Sequence, residues 1–358
     1  MAAIVSGAGE QRASFTVDLT GEYVVTLTVS DGVDSDTDKL RVLVDVVDID
    51  HDIRDAEYST SLDRLVAISE QTGSLHVIDG ETGEDREVAL PAAPLYVSVA
   101  PAGTEAVVAH QGSISVVDLV AGTVVHSYPV PEPSPTRDVV HGGNGWAYVL
   151  FKDGDPIHCV ELATGAVVLG TGIPRGTIAR RHPRQPWLYL ATRLVSPDFL
   201  EKQSIEMGAS RPIARVRVDD FHLACGDLWF SRDGTRLFTD CGGIFRTTDA
   251  PETDLTYVGR FTENDLRSID EAQGTIAALR GYWQDEEDDI DGQVDLYDAG
   301  SLALLRSEAL PFLAIGPEYK PSHGRFLFFR ADGSAYYVVL FVKGFDGQTR
   351  TALWRGTP

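Results

Sequence analysis

Carboxylates recur in this chain at one repeat position, and a ring of carboxylates is one way to hold a metal ion. Asp79, Asp118, Glu161 and Asp298 each follow a short apolar run and precede a turn. A carboxylate in that place also accepts the backbone N–H groups of its own turn, so hairpin geometry is the stronger reading. A denser acidic set lies further on. Glu287, Asp289, Asp291, Gly292 and Asp298 fall at the first, third, fifth, sixth and twelfth places of a calcium-loop pattern. Glu stands where Asp is expected first, Asp stands where Glu is expected last, and residues 294–297 already read as strand. A solvated loop tip is the stronger reading, and calcium is the one cofactor this pattern could take. Asp34, Asp36 and Asp38 alternate in a similar way without the following Gly.

The three cysteines offer little redox chemistry, since no Cys-x-x-Cys spacing occurs. Cys225 and Cys241 flank a hairpin turn at residues 232–235 and face each other to within one residue. They are expected to form a disulfide, the alternative being two thiols packed as small apolar groups. Cys159 is expected in the core. His141, His182 and His323 are isolated from one another and read as scattered surface histidines. The chain contains no Gly-x-Ser-x-Gly elbow, phosphate loop, His-Glu-x-x-His pair or dinucleotide fingerprint.

These residues need elements to position them, and the elements read as strands. The 358 residues are 43% hydrophobic, enough for a core, and 34 Gly and 18 Pro punctuate short β-branched runs. A formal net charge of -24 repels phosphate backbones, so nucleic acid is excluded as an expected partner. No apolar run is long enough for a membrane span, so membrane insertion is not expected either. Residues 74–83, 113–122, 158–165 and 294–300 repeat one pattern at about 40-residue spacing or a multiple of it. Four strands per repeat is the unit of a β-propeller blade, and Asp55, Tyr96, Arg137, Thr177, Asp227, Arg267 and Gly316 are the expected starting positions of seven blades. The last blade lacks an outer strand. A strand at residues 46–49 is expected to supply it and close the ring.

In a propeller the innermost strands face a central channel. Asp55, Tyr96, Arg137, Asp227 and Arg267 are therefore expected to converge at its mouth, with Arg54 and His51 beside them. Convergent charge can bind a ligand, and opposite charges across a channel can equally neutralise one another and brace the ring. The second reading is the stronger. Tyr282 and Trp283 beside the acidic stretch, and Pro197, Phe199 and Met207 in an apparent insertion between residues 194 and 212, are expected on one rim as a recognition surface.

Ahead of the repeats, Tyr23, Val25, Leu27 and Val29 alternate with Thr26 and Thr28, then Ser30-Asp31-Gly32 turns the chain, residues 34–38 read as a polar loop, and residues 40–46 pair back. Residues 21–32 resemble the late-strand signature of PKD-type immunoglobulin-like modules. The resemblance implies an incomplete Ig-like β-sandwich over residues 1–47, preceding a propeller over residues 48–358, and an extracellular or cell-surface setting. The propeller repeats resemble the seven-bladed YVTN-repeat and quinoprotein-dehydrogenase-like superfamily, whose members share a fold more than a function. The expected fold class is thus all-β, and the expected function is a non-enzymatic binding module with a protein or glycan partner at a propeller rim. The alternative is a propeller enzyme, either a metal-dependent, lactonase-like hydrolase or a quinoprotein-like oxidoreductase. Lys39, Lys152, Lys202, Lys320 and Lys343 are the only lysines among 30 basic residues, a bias that a GC-rich bacterial genome would produce.

Overall fold

The computed structural model describes residues 3–6, 14–17, 21–192, 198–218, 226–261, 266–281, 292–316, 318–344 and 347–358. Seven four-stranded antiparallel sheets account for most of them. Blade one comprises Asp55–Ser59, Arg64–Ser69, Ser74–Ile78 and Asp85–Ala89, running from the inner strand to the outer. The inner strands of blades two to seven are Pro94–Val99, Thr136–His141, Ile178–Arg181, Leu228–Phe230, Leu266–Ala272 and His323–Phe329.

Burial across a blade explains its sequence. The middle strands of blade one carry an unbroken buried run, Leu65–Ile68, because neighbouring blades cover both of its faces. The outer strand Asp85–Ala89 has one buried residue, Val88, and is otherwise charged or exposed. Apolar side chains gather in seven layers, one between each pair of neighbouring blades. An open stack of seven sheets would have six such layers, so the ring is closed. The closing layer packs Ala56, Leu65, Ala67 and Ile78 of blade one against Tyr337, Val339 and Leu353 of blade seven.

The seam is made by both parts of the chain. Blade seven has three strands from residues 323–356, and Val46–Ile49 is its fourth, pairing Trp354 with Val46 and Thr351 with Ile49. This is the closing strand expected from the sequence. On the opposite side of the seam Asp63 receives Arg330 Nη2 at 2.9 Å and the Ala331 N–H at 2.9 Å.

Three expectations about the elements need correction. The inner strand of blade seven begins at His323 rather than Gly316, because an extra hairpin, Phe312–Ile315 with Glu318–Pro321, lies ahead of it. The apparent insertion at residues 194–212 contains strand Asp198–Ser204 of blade four, which pairs with Arg211–Val218. Its polar sequence hides a strand because charged partners replace apolar ones. Lys202 is buried with Nζ 3.1 Å from Asp254 and 3.4 Å from the Trp187 ring centroid, and Glu201 receives Arg215 Nε at 2.6 Å. The polar loop at residues 34–38 is mostly strand too. Ser35–Val44 pairs along its whole length with Gly21–Ser30.

That pairing forms a long two-stranded arm. A second hairpin, Ala3–Ser6 with Ser14–Val17, is a separate two-stranded sheet. The Ig-like sandwich expected from the resemblance is thus represented, among the described residues, by two hairpins.

Candidate functional site: the central channel and the arm

Inner strands of adjacent blades are stitched together by side chains. Asp55 Oδ2 accepts Val97 N–H at 2.9 Å, Glu57 Oε2 accepts Val99 N–H at 2.6 Å, and Asp138 Oδ2 accepts Ala179 N–H at 3.0 Å. Between blades six and seven Asp270 Oδ2 accepts Phe329 N–H at 2.7 Å. Each carboxylate satisfies a backbone donor that a blade edge would otherwise leave bare.

Arg180 crosses between these strands. Its Nη1 lies 3.2 Å from Asp138 and its Nη2 2.8 Å from Asp227, so one guanidinium bridges blades three, four and five. Burial works against its charge, yet Asp227, Asp138, Glu57 and Asp55 together outweigh that effect and raise its pKa above the ordinary value. Arg180 does not offset the burial of Asp55, Glu57 and Asp138, and their acidities show it. Burial pushes Asp55 up to about 6 and Glu57 up to about 8, against the pull of their backbone donors and of Arg180. Burial raises Asp138 as well, opposed by Arg180. Asp55 and Glu57 are half-buried on the inner strand of blade one, with their carboxylates turned to the inner strand of blade two.

The structure brings two of the five expected channel residues, Asp55 and Asp227, into the Arg180 network. Arg137 lies beside Asp138. Tyr96 instead packs on the apolar layer between blades two and three, and Arg267 lies near His323. Arg54 is drawn to Glu70 and to the Leu95 carbonyl, 3.1 Å from its Nε. Arg180, Glu57 and Asp138 are the contributors that the sequence reading missed. For Glu57 and Asp138 the signal was an acidic residue recurring within inner strands.

The turn carboxylates behave as hairpin caps. Asp79 Oδ1 accepts the N–H groups of Glu81 and Thr82 at 2.8 and 2.9 Å, and Asp118 Oδ1 accepts those of Val120 and Ala121, both at 2.8 Å. Glu161 receives the Thr164 hydroxyl. Asp298 receives both the hydroxyl and the N–H of Ser301, which hold its pKa below the ordinary value. Its partners in the calcium-loop pattern, Glu287, Asp289 and Asp291, lie outside the described residues, as do Tyr282, Trp283, Pro197 and Cys225, the expected partner of Cys241. Cys159 is a buried free thiol.

Two histidines read as surface residues are buried clamps between blades. His141 Nε2 meets Glu105 at 2.8 Å and His182 Nε2 meets the Gly234 carbonyl at 2.8 Å. His323 is exposed. On blade four Phe199 is half-buried beneath the Arg215 guanidinium, 4.4 Å from its ring centroid, while Met207 is exposed in the adjoining turn.

The arm differs from everything else in the fold. At its root Gly21, Glu22 and Tyr23 are buried. Glu22 receives Arg350 and the Ala314 N–H, the latter at 3.0 Å, and lies 3.1 Å from Arg41 Nε. Arg350 also holds Asp48 at 2.6 Å beside the closing strand. Beyond the root the arm is bare. Leu27 is 62% exposed, Val29 61% and Leu40 61%, and the turn residue Val33 is 90% exposed. Val25, Leu27 and Val29 share a face with Leu40, because Val25 pairs with Leu40.

The class is therefore a seven-bladed β-propeller carrying an N-terminal hairpin arm. A solved structure similar to it is the β-propeller domain of Cps50 (Swd1) from Myceliophteria thermophila, with a TM-score of 0.60 and 13% identity over 86% of this chain and 99% of that one. At that identity the likeness shows the fold alone. No protein-family model matches the chain, and no curated protein matches it in sequence. Among the described residues no helix is long and apolar enough to cross a membrane.

Proposed function

We propose that this protein is a non-enzymatic binding module in which the propeller is a rigid base and the arm Gly21–Val44 engages a protein partner. The observation that carries the reading is the contrast along the arm: it is anchored through buried Glu22, yet Leu27, Val29 and Leu40 of its apolar stripe are exposed, with nothing packed on them among the described residues. Exposed apolar patches of this kind mark interaction sites, and a two-stranded sheet offers free edges to which a partner strand can add. The Arg180 network supports the same reading, because its charges are already committed to bracing the inner strands. The resemblance of residues 21–32 to PKD-type modules and of the repeats to YVTN-type propellers fits an extracellular or cell-surface setting. A Cys225–Cys241 disulfide belongs to that proposal.

The test compares the wild-type chain with the double variant Leu27→Asp and Val29→Asp as baits in an extract of the source cells. A defined protein retained by the wild type and lost by the variant, with both baits melting at the same temperature, supports the reading. Equal retention by both baits, or retention of a glycan alone, would contradict it.

A second reading, a propeller hydrolase or oxidoreductase, rests on Asp55 and Glu57. Carboxyls held protonated toward neutral pH are what a general acid needs. Turnover on a lactone panel that disappears in Glu57→Gln would favour that reading over the first.

A further inference from the structure

The segment that joins the closing strand to blade one carries an unexplained histidine. His51 is 7% exposed, and its Nε2 is buried without a hydrogen-bond partner. Its Nδ1 has Asp85 as a polar neighbour, at 3.8 Å, beyond hydrogen-bond reach. A buried imidazole in that state is costly to fold unless something else satisfies it. His51 also stacks on a second buried imidazole, His76, with ring centroids 3.6 Å apart and planes 18° apart.

The two rings and one carboxylate form a set of metal-ligating atoms. One nitrogen from each histidine and one Asp85 oxygen all lie within 4.8 Å of one another. His76 Nδ1 is 2.9 Å from Asp85 Oδ2, and its Nε2 is 3.0 Å from the Thr72 hydroxyl. That second contact is the outer-shell hydrogen bond that orients a ligating imidazole. Donors around a tetrahedral zinc ion sit about 3.3 Å apart, given metal–ligand distances near 2.0–2.1 Å. The 2.9 Å contact would open and the 3.8 Å contact would close by about half an ångström each to reach that spacing, and the two rings would turn out of their 3.6 Å stack so that both in-plane lone pairs meet at the ion. Asp85 can make the adjustment, since it begins an outer strand and is 29% exposed.

We infer that His51, His76 and Asp85 bind one divalent transition-metal ion of the zinc class, with water completing the coordination. Two imidazoles and a carboxylate suit that class better than calcium or magnesium, which prefer all-oxygen shells. The ion would replace the proton now shared between His76 and Asp85. It would tie the segment after Val46–Ile49 to the third and fourth strands of blade one, stapling the ring across its seam. The site lies apart from the arm and does not depend on the partner-binding reading.

The experiment uses the full chain, stripped with a chelator and dialysed, then titrated with Co2+ and Zn2+. One equivalent of Co2+ should give visible d–d absorption that Zn2+ displaces. Saturating Zn2+ should raise the melting temperature by about 5 °C. Asp85→Asn, a near-isosteric change at a partly exposed site, should weaken binding at least tenfold, and His51→Gln should abolish the Co2+ spectrum. Absence of Co2+ absorption and of any melting shift in the wild type would overturn the inference. So would equal binding by the wild type and both variants, because the metal would then be bound elsewhere.

Discussion

The closing strand Val46–Ile49 and the arm Gly21–Val44 are neighbours in sequence and belong to the same structural type, antiparallel β. Their surroundings are opposite. The closing strand is paired with Thr349–Gly356, and its ends, Val46 and Ile49, are buried in the layers on either side of blade seven. The arm pairs only with itself among the described residues, and Val24, Leu27, Val29, Val33 and Leu40 are exposed. The difference shows that hydrogen-bonded β-structure by itself says little about where stability resides. Burial between blades gives the closing strand its role in folding, and lack of burial leaves the arm available for something else.

Equal truncations in the two regions sharpen that contrast most. Ile49→Ala removes packing from the seam layer and should cost about 2–5 kcal/mol. Leu27→Ala on the arm should change stability by no more than about 0.5 kcal/mol. Chemical denaturation of both variants is the measurement, and similar losses would break the comparison.

A smaller effect is expected where the two regions meet. Arg350 reaches Glu22 at the root of the arm, Asp48 in the closing strand, and the Ala314 carbonyl, the last at 2.6 Å. Arg350→Ala leaves Glu22 buried with Arg41 as its remaining cation and should cost about 2–3 kcal/mol. Arm amides should exchange faster while the blades stay intact. Unchanged arm exchange would mean that the root is held some other way.

The last expected effect concerns pH and the channel. Burial first, opposed by the Val99 N–H and Arg180, lifts the Glu57 carboxyl from an ordinary 4.5 to about 8. The folded chain therefore keeps a proton that the unfolded chain releases. The contribution of Glu57 to stability is full below pH 4.5 and is lost as pH rises to about 8, with a slope of at most about 1.4 kcal/mol per pH unit. Glu57→Gln should flatten this slope and leave the variant more stable than wild type at pH 8. A parallel pH profile for the two proteins would contradict the assignment.

Much of this architecture was legible in the sequence. The repeated run ending at Asp79, Asp118 and Glu161 marks the third strand and capped turn of a blade, because the turn needs an acceptor just there. The missing fourth strand of blade seven pointed back to residues 46–49. Other features depend on contacts between distant residues. Strand Asp198–Ser204 keeps Glu201, Lys202 and Gln203 buried by pairing them with Arg215, Asp254 and each other, which breaks the apolar alternation that reveals strands. The extra hairpin before His323 alternates like an inner strand and so shifted the expected start of blade seven. Arg180 could not be found from spacing, since its partners lie about one blade away on either side. His51 and His76 meet only because the closing strand leads the chain across the seam.

Native-state hydrogen exchange of the full chain tests most directly whether the closing strand is part of the ring and the arm is not. The account predicts that the ladder amides of Val46–Ile49 exchange with the slowest class, together with Thr351–Trp354, while amides around Leu27–Val29 exchange orders of magnitude faster. Exchange of Val46–Ile49 as fast as the arm, with the rest of blade seven still protected, would contradict it.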